Sequence, residues 1–483
     1  MSAWKAADVD GRADPSSEEI ATVIASHQGF FDDHGSVLVA RAPGRLDVMG
    51  GIADYSGSRV LELSLSVATW AAVQRAAEPT IHLCSTAAAD LGADPVVTIP
   101  ANALAPGGVP LEPSAARAIL TADPKRAWTA YVAGVILMLG RAYGAFRGEG
   151  LRVLVHSNVP LGKGLSSSAA VEVATMKALA DLAGLKLEGR ELALLAQQVE
   201  NLVVGAPCGV MDQMTSACGR RDHLLALLCQ PAEPEGHVRL PPGLEVWGVD
   251  SGIRHAVTGA DYGSVRVGAF MGYRIVADLA GLRCRPAGPG RVVVDDPELH
   301  GYLANIAPST WVERFRAHVP ERLEGRSFLA QYGGLTDTVT EVDPSRTYAV
   351  RACTEHPILE HHRVQVFRAL LEGGAEGEGA RALLGELMAQ SHASYGACGL
   401  GSDGTDRLAA LVRAAGPREG LYGAKITGGG SGGTVAVLAR AGSRRALERV
   451  AAEYVRETGR TAAIFGGSSD GALEYGTRVF HRR

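Results

Sequence analysis

Apolar residues follow two periodicities along the chain, and the changes between them mark out the elements. Ile20, Val23 and Ile24 recur at helical spacing, so residues 1–35 read as an amphipathic lead-in helix ahead of the first domain. Residues 37–40 are an unbroken apolar strand text, followed by a Pro-Gly pair that predicts a turn and by a second strand over 46–49. Residues 60–73 read as a further strand, and 128–140, apolar all round, as a buried helix. A strand over 151–156, helices over 167–185 and 188–203, and strands over 224–229 and 245–249 close the first domain.

Helical text resumes over 263–280. A Pro/Gly seam at 286–290 cuts it, and about 60 irregular residues follow. Helices are predicted at 358–371, 380–392 and 405–415, then strand, glycine loop and strand over 423–438, a helix over 444–458 and a terminal strand. No repeat of solenoid period is present. Strands and helices mix without strict β-α-β rhythm, which favours two α+β domains over a doubly wound sheet. The expected domains are 36–255 and 256–483, the second carrying an insertion over 275–345.

Composition changes this picture in three places. Glycine supplies 60 of 483 residues against only 23 prolines, with 46% hydrophobic residues, so the chain is neither a disordered polymer nor collagen. The excess belongs in tight turns and in loops that approach a ligand closely. A net charge of −5 with mixed signs excludes a basic nucleic-acid face. No apolar run reaches the roughly 18–20 residues of a membrane span, and the N-terminus lacks the pattern of a signal peptide. Seven scattered cysteines without a Cys-x-x-Cys pair read as reduced thiols, so a cytoplasmic protein without a membrane partner is expected.

Four segments carry candidate chemistry. In Val159-Pro-Leu-Gly-Lys-Gly-Leu-Ser-Ser-Ser-Ala-Ala170 a strand leads through Gly162, Lys163, Gly164 and Leu165 into a helix starting within Ser166, Ser167 and Ser168. The free N–H groups and positive dipole end of such a helix, up to Ala169, suit a polyphosphate. A serine hydroxyl there suits Mg²⁺, while a serine N-cap with a flexible entry loop is the plainer alternative. No Walker A sequence exists in the chain. Thr427-Gly-Gly-Gly-Ser-Gly-Gly-Thr434 formally contains G-x-G-x-x-G, but strand text follows it where a dinucleotide fingerprint needs a helix. A glycine loop, Gly428, Gly429 and Gly430, packed near a ligand or a neighbouring loop is what remains, beside a plain hairpin.

Arg45 and Asp54 flank a tight turn in the 41–55 segment, a cation for phosphate and a carboxylate for hydroxyls. Glu200 near a helix end and Asp212 beyond Gly205-Ala-Pro-Cys-Gly209 supply the two carboxylates that phosphoryl transfer from Mg·ATP requires, one for metal and one as base. Each pair alone is equally a set of solvated charges.

Together these segments resemble a family. Pro-x-Gly-x-Gly-Leu-Ser-Ser-Ser-Ala-Ala at 160–170, Arg-Ala-Pro-Gly-Arg at 41–45 and Gly-Gly-Gly-Ser-Gly-Gly at 428–433 are similar, in order and separation, to the three motifs of the GHMP small-molecule kinases. Pro207-Cys-Gly-Val-Met-Asp-Gln213, Trp128-Thr-Ala-Tyr131 and Ser391-His392 resemble the galactokinase branch. The likeness covers roughly 36–270 and 345–480. It implies an α+β GHMP kinase fold, with a ribosomal-protein-S5-domain-2-like N-terminal domain, a ferredoxin-like C-terminal domain and the active site in the cleft between them. It also implies Asp212 as catalytic base with Arg45 as its partner, Ser168 and Glu200 on Mg²⁺, and the 162–169 amides on ATP. Asp54, Tyr262 and the main chain near Gly209 would hold a sugar.

One departure points to the sugar. Galactokinases carry Gly-Glu-His-Thr-Asp-Tyr where this chain reads Gly50-Gly-Ile-Ala-Asp-Tyr55. Gly51 and Ile52 offer no polar group to a galactose C6 hydroxyl, which would be left unpaired at a cost of about 1–3 kcal/mol. The galactose ring pattern without C6 is L-arabinopyranose. The 47–57, 250–255, 398–406 and 425–430 stretches, and the 275–345 region that typical galactokinases lack, resemble the kinase portion of plant L-arabinokinases. Those carry a further N-terminal glycosyltransferase-like region, so kinase activity is expected to be the whole function here.

The expected product is therefore L-arabinose 1-phosphate, from a monomer or weak homodimer. The alternatives are a galactokinase or galacturonokinase, and a catalytically silent sugar sensor, which would be expected to have lost Asp212, Glu200 or Ser168. Cys353, His356, His361 and His362 lack paired zinc-ligand spacing and read as structural or solvated. The Gly-x-Ser-x-Gly around Ser431 leads into strand text, unlike a nucleophile elbow.

Overall fold

The computed structural model describes residues 4–6, 15–254, 260–375 and 377–482. Two sheets organise it. The larger has nine strands built around the long antiparallel pair Val37–Met49 and Arg59–Ala76. Side chains alternate across these strands. Ala71 and Val73 join the core under the helices Thr129–Tyr143 and Ser167–Leu182, while Trp70 and Ala72 pack with Ile20 and Ile24 of the lead-in helix Pro15–Ser26.

The second sheet runs Leu421–Ile426, Thr434–Arg440, Leu244–Asp250, Ile464–Phe465. Val249, Val435 and Val437 face the helices Asp403–Ala415 and Arg444–Thr458. Val246, Ala436 and Leu438 face the other way, into a core shared with Leu46, Leu61 and Leu63 of the first sheet. The two sheets are thus joined by apolar packing. Among the described residues no helix is long and apolar enough to cross a membrane.

The structure corrects several expectations. Pro43-Gly44 is no turn: the strand continues through it with a shift of register between Pro43 and Arg45, and the Arg45 N–H is taken by the Leu165 carbonyl. The 245–249 strand sits inside the second sheet rather than closing the first domain. Conversely, the terminal strand Thr477–Arg482 returns to the first sheet beside Val37–Met49, with Trp4–Ala6 on its outer edge. His255, where the expected domain boundary falls and the 250–255 motif ends, lies outside the described residues.

The helix expected from 358 begins at Val350 and carries Pro357 inside it. Close packing overrides the proline, since Thr354 of that helix lies where a side chain on Gly272 of the helix Ala260–Leu279 would stand. The 275–345 region is ordered. Its Pro/Gly seam turns the hairpin Arg283–Gly288/Arg291–Asp295, and Trp311, Phe315, Val319 and Phe328 are buried against Val276 and Tyr273.

Candidate active site

A cleft of about 480 Å³ collects most of the residues singled out in the sequence. One wall is the phosphate-type loop. After the strand Gly150–Ser157 the chain passes through left-handed Gly162 (φ 68°) and Gly164 (φ 71°), and Ser166 adopts φ 57° before the helix Ser167–Leu182 begins. That geometry leaves the first-turn amides of a 16-residue helix opening on the cavity, the positive end of its dipole outward. The second glycine loop braces the first. The Thr434 hydroxyl donates to the Lys163 carbonyl at 2.8 Å, and a side chain on Gly433 would stand 2.8 Å from that oxygen.

Beside this cradle stands a clamped carboxylate. Asp212 lies in the first turn of the helix Met211–Cys218. Its Oδ1 accepts from Arg45 Nε at 2.8 Å and pairs with Nη2 at 2.7 Å, and its Oδ2 accepts from Ser166 Oγ at 2.5 Å. Arg45 Nη1 also donates to the Gly164 carbonyl at 2.7 Å, tying the clamp to the loop. The guanidinium is 3% exposed and the Asp212 side chain 21%, so the carboxylate is the member that faces the cavity. Burial alone would lower the Arg45 pKa, but the carboxylates of Asp212, Glu62 and Asp47 outweigh it and hold the group cationic.

Asp54 comes from the short turn Gly51–Ser56 and is buried against Gly209, where a side chain would stand 1.7 Å from its Oδ2. Burial, reinforced by the charge of Asp212, pushes its carboxyl up to about 7. Tyr262 lines the same end and meets Tyr55 edge-on at 5.7 Å.

Glu200 reaches the cavity because its helix loosens into a π-turn over Val199–Val204. Its carboxylate accepts from Gln213 Nε2 at 2.6 Å and from Ser168, while burial and Asp212 raise its pKa to about 7. Behind it, Glu172 is fully buried and raised well above the carboxylate range by burial and by Glu200, with one oxygen unpartnered. The Glu200 carboxylate and the Ser168 hydroxyl, both on the cavity, are hard-oxygen donors of the kind a divalent cation takes.

Not every expected residue arrives. Gly51 and Ile52 do not line the cavity: Ile52 is fully buried in an apolar core, its N–H bonded by Tyr395 Oη at 2.8 Å, and a side chain on Gly51 would run into that hydroxyl. Lys163 turns away to Asp250 at 2.7 Å. Ala169 is fully buried outside the cavity lining, and of the glycine loop Gly429 lines the cavity, while Gly428 packs on Arg45 and the Gly164 carbonyl and Gly430 on Leu400. His356 bonds Ser394 and His361 bonds Arg59, each on the helix Val350–Glu372.

Sequence reading missed several groups. Ser166 bonds the carboxylate, a contact the loop motif did not reveal. Glu62, buried 3.5 Å from Arg45 Nε, sits at an alternating strand position that reads as solvent-facing. Leu91, Trp128 and Tyr131 give the cleft an apolar end beyond the phosphate loop, suited to a flat ring.

The chain matches the family models for the GHMP kinases N terminal domain over 130–220, the galactokinase galactose-binding signature over 25–75 and the GHMP kinases C terminal over 367–457. It is 42% identical to L-arabinokinase of Arabidopsis thaliana, covering 94% of this chain and 48% of that protein, so it spans about half that relative's length. It is 30% identical to a galactokinase of Chloroflexus aggregans over 92% of this chain and 94% of that one. Among solved structures, Lactococcus lactis galactokinase complexed with galactose superposes with a TM-score of 0.69 at 21% identity, covering 94% and 99% of the two chains, a likeness of fold.

Proposed function

The chain belongs to the GHMP kinase family, in its galactokinase branch, and on that premise we propose that it is an ATP-dependent sugar 1-kinase whose sugar is L-arabinose. One observation carries the kinase reading. The Asp212 carboxylate is gripped by Arg45 and Ser166 at the junction of the anion cradle and the Asp54–Gly209 wall. A base placed there lies between a bound phosphate and a bound hydroxyl.

Asp212 takes the proton of the anomeric hydroxyl as that oxygen attacks the γ-phosphorus and the bond to ADP breaks. Arg45, fixed by its bonds to Asp212 and Gly164, keeps its charge for the transferring group. The amides opening on the cavity at 162–168 receive the phosphate oxygens without reorganising. Asp54, titrating near neutrality, both donates to and accepts from ring hydroxyls. Ser168 and Glu200 are the residues that would hold Mg²⁺, which when bound neutralises charge on the β- and γ-phosphate oxygens.

The choice of L-arabinose is supported by the 42% identity with a protein of that name, against 30% with a galactokinase. A coupled ADP-release assay over L-arabinose, D-galactose and D-galacturonate tests both levels. The highest kcat/KM with L-arabinose supports the full reading, a preference for a six-carbon sugar overturns the substrate choice, and no ADP release with any sugar overturns the kinase.

A further inference from the structure

The 275–345 stretch reaches the sugar end of the cleft through one buried ion pair. Arg266 of the helix Ala260–Leu279, 6% exposed, donates from Nε and Nη2 to Oδ2 and Oδ1 of Asp337, both at 2.8 Å. Its Nη1 donates to the Cys208 carbonyl at 3.1 Å, and the guanidinium lies over the Tyr55 ring at 5.4 Å. Cys208 immediately precedes Gly209, and Tyr55 immediately follows Asp54. One guanidinium therefore grips both backbone segments that form the sugar wall.

Asp337 is itself built in. It is 4% exposed and accepts from the Thr340 hydroxyl at 2.6 Å and from the Thr340 and Val339 amides at 3.1 and 3.2 Å. Arg291 of the inserted hairpin donates to the Asp337 and Thr340 carbonyls and holds the loop in place. A bidentate Arg–carboxylate pair fixes orientation as well as charge. Without it, Arg266 is a buried cation that still feels the Tyr262 hydroxyl and the Asp54 carboxylate.

We propose that Asp337 is a positioning residue for sugar recognition: it holds Arg266 on the Cys208 carbonyl and Tyr55 ring and keeps it from pairing with Asp54. The inserted stretch then serves to shape the sugar subsite. This rests on the sugar-kinase reading above. It makes Asp337 specific to one substrate, because no part of the pair touches the phosphate cradle.

The experiment measures initial rates of ADP release with sugar and ATP varied separately, and sugar binding by calorimetry without ATP. Asp337→Asn is expected to raise the sugar KM and weaken sugar binding about tenfold, as one unpaired buried group predicts, with ATP KM unchanged. Thr340→Val, which removes one bond to Asp337 and leaves the pair, is expected to move the same constants less, and keeps the test open where Asp337→Asn folds poorly. In a double-mutant cycle, Asp337→Asn is expected to add nothing to Arg266→Gln. Equal rises in both KM values, additive effects, or an unchanged sugar KM in an active Asp337→Asn enzyme overturn the inference. A wild-type enzyme that releases no ADP with any sugar overturns the kinase reading instead.

Discussion

Asp212→Asn separates chemistry from binding more cleanly than any other single change at this site. The amide is nearly isosteric, so its oxygen can still accept from Arg45 Nε while its NH₂ donates to Ser166 Oγ, which now stands 2.5 Å from Oδ2. Arg45 keeps Glu62 at 3.5 Å and the Gly164 carbonyl at 2.7 Å, so the clamp stays in place. What disappears is the proton acceptor. Loss of a positioned general base lowers turnover by about 10²–10⁴-fold, about 3–5 kcal/mol of barrier. Sugar affinity is expected to hold, because the Asp212 charge is one of the causes that raise Asp54, and removing it lets Asp54 ionise more readily. The assay pairs kcat from coupled ADP release with calorimetric sugar binding across pH, where the transition near 7 in binding should move to lower pH. Turnover within about tenfold of wild type, or sugar binding lost along with turnover, would refute the base assignment.

Four further outcomes follow from the same contacts. Gly209→Ala places a carbon 1.7 Å from Asp54 Oδ2, so sugar KM should rise while ATP KM stays constant in the same assay. Gly51→Glu with Ile52→His drives side chains into Tyr395 and an apolar core, at a position with φ 47°. It should lower the melting temperature and not transfer preference to galactose. Asp54 and Glu200 have folded pKa values near 7, above the ordinary carboxylate range, so the folded state holds their protons longer than the unfolded chain. Their contribution is full below about pH 4 and lost as pH rises through about 7. Thermal melts of the ligand-free protein should therefore fall between about pH 4 and 7 and level off above that, with Mg²⁺ restoring more at the alkaline end and Glu200→Gln flattening the profile. Finally, Lys425 and Asp47 are a fully buried ion pair, so Lys425→Met should cost about 3–5 kcal/mol in urea melts. Adding Asp47→Asn should recover part of it.

What could be read from the sequence was what is local. The phosphate loop announced itself because two glycines, a serine run and a helix start lie within a few residues, and the free amides follow from helix geometry alone. The gathering of Arg45, Asp54, Glu200 and Asp212 came from a resemblance of motifs; nothing in each segment by itself brings them to one cleft. Where the reading failed, the missing information was tertiary. Pro43-Gly44 reads as a turn, but the Leu165 carbonyl takes the next N–H and the strand runs on. Glu62 alternates with Leu61 and Leu63 and so reads as the wet face of a strand. Leu61 and Leu63 do face the core shared with the second sheet, but the opposite face is covered too, and the acid ends up buried beside Arg45. Glu200 lies in a helical pattern that carries no mark of the π-turn that aims it inward. The pairing of Arg266 with Asp337 spans 71 residues and joins a helix to an inserted stretch that reads as irregular. No spacing rule reaches that far. The substrate choice suffered from the same limit in reverse: Gly51 and Ile52 were legible as apolar, but their direction was not. The backbone turns them towards Tyr395 and away from the cavity. On the sugar-kinase proposal, discrimination between five- and six-carbon sugars is then expected in the wall that faces the cavity, at Asp54, Gly209 and Tyr262, and in whatever holds that wall still.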